Sequence, residues 1–186
     1  MSTKRKQADC VKQQAINILS MMRKQDNKLE DKMKKFVKKD KAIAKRTFET
    51  DVEGWTPVHA CVMKGSKHLL KVMISTGIHV NFRMGQPEGL PGECSLLHIA
   101  AYRGDVKICK YLISHGACVD VRDNLNRTPL YYAQTKQHNR VIELLKQKGG
   151  DQTVNETDAM MIDECPTPQP TKLGFCFSPF IKKADC

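Results

Sequence analysis

Thr56-Pro57-Val58-His59-Ala60 returns further along the chain as Ser95-Leu96-Leu97-His98-Ile99-Ala100-Ala101, and again as Thr128-Pro129-Leu130-Tyr131-Tyr132-Ala133. The residues after each stretch repeat as well. Gly65 and Gly104 each lie nine residues beyond the opening Thr56 or Ser95. Paired aliphatic residues come next: Leu69-Leu70 with Met73-Ile74, Ile108-Cys109 with Leu112-Ile113, and Val141-Ile142 with Leu145. Gly77, Gly116-Ala117 and Gly149-Gly150 close the three segments, and Val80-Asn81 and Val119-Asp120 come after the first two. A period of this kind marks a stacked-repeat fold, because one unit cannot hide both of its apolar faces alone.

Each segment has a local physical reading. Thr before Pro starts a short helix, the hydroxyl capping it and the proline taking the first position, where no amide hydrogen is needed. Gly65 and Gly104 end that helix by accepting a left-handed conformation. A second helix comes next, with its apolar residues on one face, until Gly77 or Gly116 stops it. The step from Ser95 to Thr128 is 33 residues and that from Thr56 to Ser95 is 39. The six extra residues fall between Met84 and Cys94, where Gly85, Pro87, Gly89, Pro91 and Gly92 predict an enlarged loop.

These segments resemble ankyrin repeats, whose Thr-Pro-Leu-His, small apolar pair, glycine, paired aliphatics and Gly-Ala recur here over residues 51–151. The resemblance implies an all-α solenoid of helix-turn-helix units joined by short β-hairpin connections, with units at 51–83, 91–122 and 123–151. Ser95-Leu96 stands for Thr-Pro, Tyr131 takes the His place, and Gln137 stands where glycine is expected, so the third unit reads as a terminal one with an altered helix end. Asn81, at the hairpin Asn place, matches by resemblance a position that asparaginyl hydroxylases modify.

The flanks read differently. Val11, Ala15, Ile18, Leu19 and Met22, then Leu29, Met33, Phe36 and Val37, recur at helical spacing, so residues 8–46 predict two amphipathic helices. Residues 1–50 hold 15 Lys/Arg against 6 Asp/Glu, a balance of +9, within a chain of net charge +11. That basic segment either caps the stack, its lysines covering the outer side, or forms a binding patch. Residues 152–186 read as a flexible acidic tail with too little apolar area to order itself. Leu173, Phe175, Phe177, Phe180 and Ile181 cluster near its end, either docking on the stack or forming a short partner-binding motif.

Composition narrows the function classes. The 186 residues suit one domain with tails, and their apolar runs stay too short to span a bilayer. Met1-Ser2-Thr3-Lys4-Arg5-Lys6 precedes no apolar secretion core, so a monomeric cytoplasmic protein is expected, with a nuclear one left open by Lys4-Arg5-Lys6. The eight cysteines then read as reduced thiols. No CxxC pair occurs, and Cys94 with His98 or Cys109 with His115 lacks a matching second pair, so neither metal nor cofactor is expected. His59 with Cys61, or His98 with Cys94, suggests a nucleophile and base. In the family this chain resembles, however, such histidines bond to Thr and backbone between units, and no enzymatic activity is expected.

Ankyrin arrays bind protein partners through hairpin tips and inner helices, and the resemblance maps those places here. The residues before each helix end are Met63 and Lys64, Tyr102 and Arg103, and Thr135 and Lys136, and those before each helix start are Trp55 and Arg127. Trp, Tyr and Arg carry much of the energy of interfaces, so this set, extended by Phe82 and Arg83, is the expected contact surface. Trp55 either joins it or packs on the N-terminal helices. The expected function is that of an adaptor or an inhibitor that occupies its partner. A nucleic acid or an anionic surface drawn to the basic segment is the weaker alternative, since Phe36 is its lone aromatic residue before Phe48 and offers no stacking platform.

Overall fold

The computed structural model describes residues 2–24, 26–88 and 91–150. The tail reading for 152–186 lies outside them. Nine helices make up the described residues: α1 (Ser2–Arg23), α2 (Leu29–Lys39), α3 (Lys41–Glu49), α4 (Pro57–Lys64), α5 (Lys67–Ile74), α6 (Leu96–Arg103), α7 (Val106–Ser114), α8 (Pro129–Thr135) and α9 (Asn139–Gln147). None of these helices is long and apolar enough to cross a membrane.

The repeated helices start and stop where side-chain chemistry dictates. Thr56 and Thr128 cap α4 and α8 by accepting from the His59 and Tyr131 amides, and Pro57 and Pro129 open the first turns. Ser66 and Asp105 do the same for α5 and α7, accepting from Leu69 and Ile108. Gly65 and Gly104 end α4 and α6 at a φ of 77°. The helices pair as α4 with α5, α6 with α7 and α8 with α9; the inner helices α4, α6 and α8 then stack on one another. Leu96, Leu97, His98, Ile99, Ala100 and Ala101 of α6 are all buried, because this helix has a neighbour on either side. Its two alanines carry little bulk and admit a close approach.

Before the repeats stand three helices rather than the two that the apolar spacing predicts. Asp40 makes the difference. Its extended backbone ends α2, its amide still bonds to Phe36 O, and its carboxylate accepts from the Ile43 amide to start α3. The helix therefore breaks inside a run whose apolar residues continue on both sides. α1 and α3 lie against α4, while α2 lies against α5. Ala15, Ile18, Leu19 and Met22 of α1, with Phe48 of α3, join one core with Val58, Leu70, Leu97, Leu112 and Leu145.

The arms between units are held by single contacts. Among the described residues they show isolated antiparallel bridges, Val52 with Trp55 and Arg83 with Ser95, in place of full hairpin strands. Asn81 ties the first arm to the second: its amide nitrogen donates to Gly116 O at 3.2 Å and its oxygen accepts from Cys118 N at 2.8 Å. The enlarged loop is pinned at its base by Met84 N to Cys94 O and by the Arg83–Glu93 ion pair. It lies so close on the Val52–Trp55 turn before α4 that a side chain at Gly54 would meet Pro87 N at 2.1 Å.

Candidate functional site

The expected contact residues divide into four groups. Trp55 and Met63 are 5% and 9% exposed and belong to the core. Phe82 is half-buried against the His59 ring, and exposed Arg83 is paired with Glu93. Lys64 and Arg103 reach backward within the stack. Lys64 Nζ donates to Met22 O at 3.3 Å and Arg103 Nη1 donates to Met63 O at 2.6 Å. Both acceptors are carbonyls in the last turn of a helix, where free acceptors and the negative dipole end favour a cation. His138 repeats this tie one unit later, its Nε2 meeting Tyr102 O at 3.1 Å.

The fourth group comes together on the open side of α6 and α8. Lys136 Nζ lies 5.0 Å from the centre of the half-buried Tyr102 ring. The Arg127 guanidinium lies 5.1 Å from the centre of the Tyr131 ring. Buried Tyr132 stands between them, edge-on to both Tyr102 and Tyr131. Thr135 is exposed beside them, and its hydroxyl donates to Tyr131 O. Tyr131, which the repeat pattern puts in the His place, has a second role here. His59 and His98 are buried at that place, whereas Tyr131 is half-exposed and lies under Arg127, since no further unit comes after it among the described residues.

A buried polar network sets the position of Arg127. The Tyr132 hydroxyl donates to Asp123 Oδ2, while Asp123 Oδ1 accepts from the amides of Leu125 and Arg127, each at 2.9 Å. The Ser95 amide donates to His98 Nδ1, so the ring proton sits on Nε2, which donates to Arg127 O at 3.0 Å. Thus the arm before α8 is held from both sides. It presents Leu125, 48% exposed and the one large exposed hydrophobic among the described residues, next to Arg127, whose Nε is buried without a hydrogen-bond partner. Sequence reasoning misses Leu125 because an isolated leucine in a turn carries no periodic signal.

The buried thiols and imidazoles are held in their neutral forms. Burial pulls the His59 imidazole down from 6.5 to about 3 and that of His98 to about 4. Burial pushes the Cys94 and Cys109 thiols up to about 12, and raises Cys61 and Tyr132 as well. A thiol held protonated in this way is a poor nucleophile and a poor metal ligand. No three His, Cys, Asp or Glu side chains among the described residues gather closely enough to hold a metal ion.

Comparison with known proteins agrees with this geometry. The family described as ankyrin repeats (3 copies) matches residues 84–158, and that described as ankyrin repeat matches residues 53–84. Among curated relatives, a probable 26S proteasome regulatory subunit p28 of Saccharomyces cerevisiae is 27% identical over 95 residues, 51% of this chain and 40% of that protein. A putative E3 ubiquitin-protein ligase XBAT35 of Arabidopsis thaliana is 36% identical over 98 residues, 52% of this chain and 20% of that protein. The human palmitoyltransferase ZDHHC13 is 43% identical over 78 residues, 41% of this chain and 12% of that protein. The chain thus spans less than half the length of these relatives, and the shared stretch is a non-catalytic interaction module. With its capped helix pairs, glycine stops and stacked inner helices, the chain belongs to the ankyrin-repeat family.

Proposed function

We propose that this chain binds a protein partner through the cation and aromatic surface of α6 and α8, and acts as a monomeric adaptor or as an inhibitor by occupancy. Ankyrin repeats mediate protein–protein interaction. The observation that carries the finer reading is the alternation of charge and ring: Lys136 over Tyr102 and Arg127 over Tyr131, with exposed Leu125 beside them. Partly desolvated rings with an adjacent arginine are the groups that dominate binding energy at interfaces. The backbone beneath them is fixed by Asp123 and His98, so little conformational freedom is lost on binding. The two cations select a partner segment that carries carboxylates, and Leu125 selects an apolar neighbour to them. The reading places the chain in the cytoplasm or the nucleus.

Affinity purification with mass spectrometry tests this. The intact chain is compared with a Tyr102→Ala/Arg127→Ala/Lys136→Ala variant whose helical circular dichroism matches that of the parent. The expected outcome is a set of partners recovered by the parent and absent with the variant. Recovery of the same proteins by both would refute this surface.

A further inference from the structure

The outer side of the stack carries a charge pattern of its own. Helices α5 and α7 contain no acidic residue. Leu69, Leu70 and Met73 of α5, and Ile108, Cys109 and Leu112 of α7, face the core, so helical geometry turns Lys67, Lys71, Lys107 and Lys110 to the opposite side. The Nζ atoms of Lys67 and Lys71 lie 5.8 and 5.9 Å from the centre of the Tyr111 ring, which joins the charges of the two helices into one surface. α2 extends it, packed on α5, with exposed Lys35 and Lys38 turned away from buried Leu29 and Met33.

None of these six lysines forms an ion pair among the described residues. Of the carboxylates close to them, Glu30 pairs with Lys34 at 2.7 Å and Asp105 caps α7, while exposed Asp31 on α2 leaves the balance of the patch positive. α2 packs on α5 and the Tyr111 ring bridges α5 to α7, so the six charges spread across three helices. A single anionic side chain cannot meet charges carried on three helices.

The residue types narrow the choice of partner. Arginine, whose planar fork fixes phosphate and base geometry, is absent from α5 and from the exposed faces of α2 and α7; lysine, a hydrated point charge on a flexible stem, supplies all of the attraction. Among the described residues, these helices expose no large apolar side chain that could wedge between bases. A surface of diffuse negative charge fits such a face better than a structured polyanion does.

We propose that the outer faces of α2, α5 and α7 rest on an anionic phospholipid surface, held by charge alone, with the Tyr102 face on the inner side left free for its partner. This stands independently of the protein-binding reading. Sedimentation of the full chain with phosphatidylcholine vesicles, with and without phosphatidylserine, tests it. Binding is expected only with phosphatidylserine and is lost as salt rises. A Lys67→Glu/Lys71→Glu/Lys107→Glu/Lys110→Glu variant binds at least about a hundredfold more weakly, and the four Gln substitutions weaken binding by about tenfold or more. The Gln variant keeps the test sound should charge reversal disturb folding. Lys4→Gln/Arg5→Gln/Lys6→Gln and Tyr102→Ala/Arg127→Ala/Lys136→Ala each bind vesicles like the parent. Three results overturn the proposal: no binding to anionic vesicles, binding that survives both sets of outer-face substitutions, or retention of duplex DNA but not of vesicles.

Discussion

His59 and His98 occupy the same place in successive units, yet they are bound differently. His98 uses both ring nitrogens, Nδ1 toward Ser95 and Nε2 toward Arg127 O of the next unit. His59 meets Thr56 Oγ1 at 2.7 Å through Nδ1, but its Nε2 is buried without a hydrogen-bond partner. The counterpart of Arg127 O is Cys94 O, which with Phe82 lies near enough to raise the His59 pKa slightly against the larger effect of burial, without closing a good hydrogen bond. The junction after His98 is closed by Asp123 N to Arg127 O, across four residues; that after His59 is closed by Met84 N to Cys94 O, across ten. The six inserted residues keep the stack but loosen the bond that couples one unit to the next.

The largest test of this difference is a pair of substitutions. His98→Ala leaves the Ser95 amide buried without its acceptor and opens a cavity, costing about 3 kcal/mol. His59→Ala opens a similar cavity but removes a nitrogen that already lacked a partner, so its cost is about 1–2 kcal/mol smaller. Urea denaturation of both variants gives the comparison. Equal midpoints, or a greater loss at His59, would show that the two junctions are coupled with the same strength.

The pH dependence sharpens the same contrast. Both histidines have a folded pKa below the ordinary 6.5, about 3 for His59 and about 4 for His98. The neutral ring is therefore the folded form, and between those values and 6.5 the unfolded chain binds more protons. Each histidine contributes its full stability above pH 6.5 and loses it as pH falls, by at most about 1.4 kcal/mol per pH unit. Stability measured from pH 6.5 to 4.5 should fall steeply in the parent, and substituting either histidine should remove about half of that slope. A slope unchanged in both variants would assign the acid sensitivity to other groups.

How far the sequence can be read depends on whether a feature is local. Thr56, Pro57, Gly65 and their counterparts announce helix ends because each acts on its own backbone, and the stack results from their spacing. Asp40 gives no such signal: a charge in a lysine-rich run looks ordinary until its carboxylate is seen to cap α3. Tyr102, Arg127 and Lys136 are legible from their places in the repeat, but the rings that bring them together, Tyr131 and Tyr132, are not. Lys64 and Arg103 look free in the sequence because their acceptors, Met22 O and Met63 O, belong to helix ends that become neighbours only after stacking.

Gly104 and Gln137 carry the comparison of units into the helix ends. Both residues come after an inner helix and both are left-handed, with φ of 77° and 56°. Glycine is needed at 104 for a second reason, since a Cβ there would meet the His138 ring at 2.6 Å. At 137 the end of α8 is closed by the same kind of backbone bonds, Gln137 N to Gln134 O and His138 N to Ala133 O, and the exposed side chain has room. The third unit thus keeps the turn but forces it on a residue with a Cβ, at roughly 1–2 kcal/mol. Gln137→Gly relieves that strain, while the greater freedom of glycine in the unfolded chain offsets part of the gain, leaving about 0.5–1 kcal/mol of added stability. For a chain of this size that is a rise in melting temperature of about 2 °C. A fall instead would mean that the Gln137 side chain stabilises the end of the stack by more than its backbone strain costs.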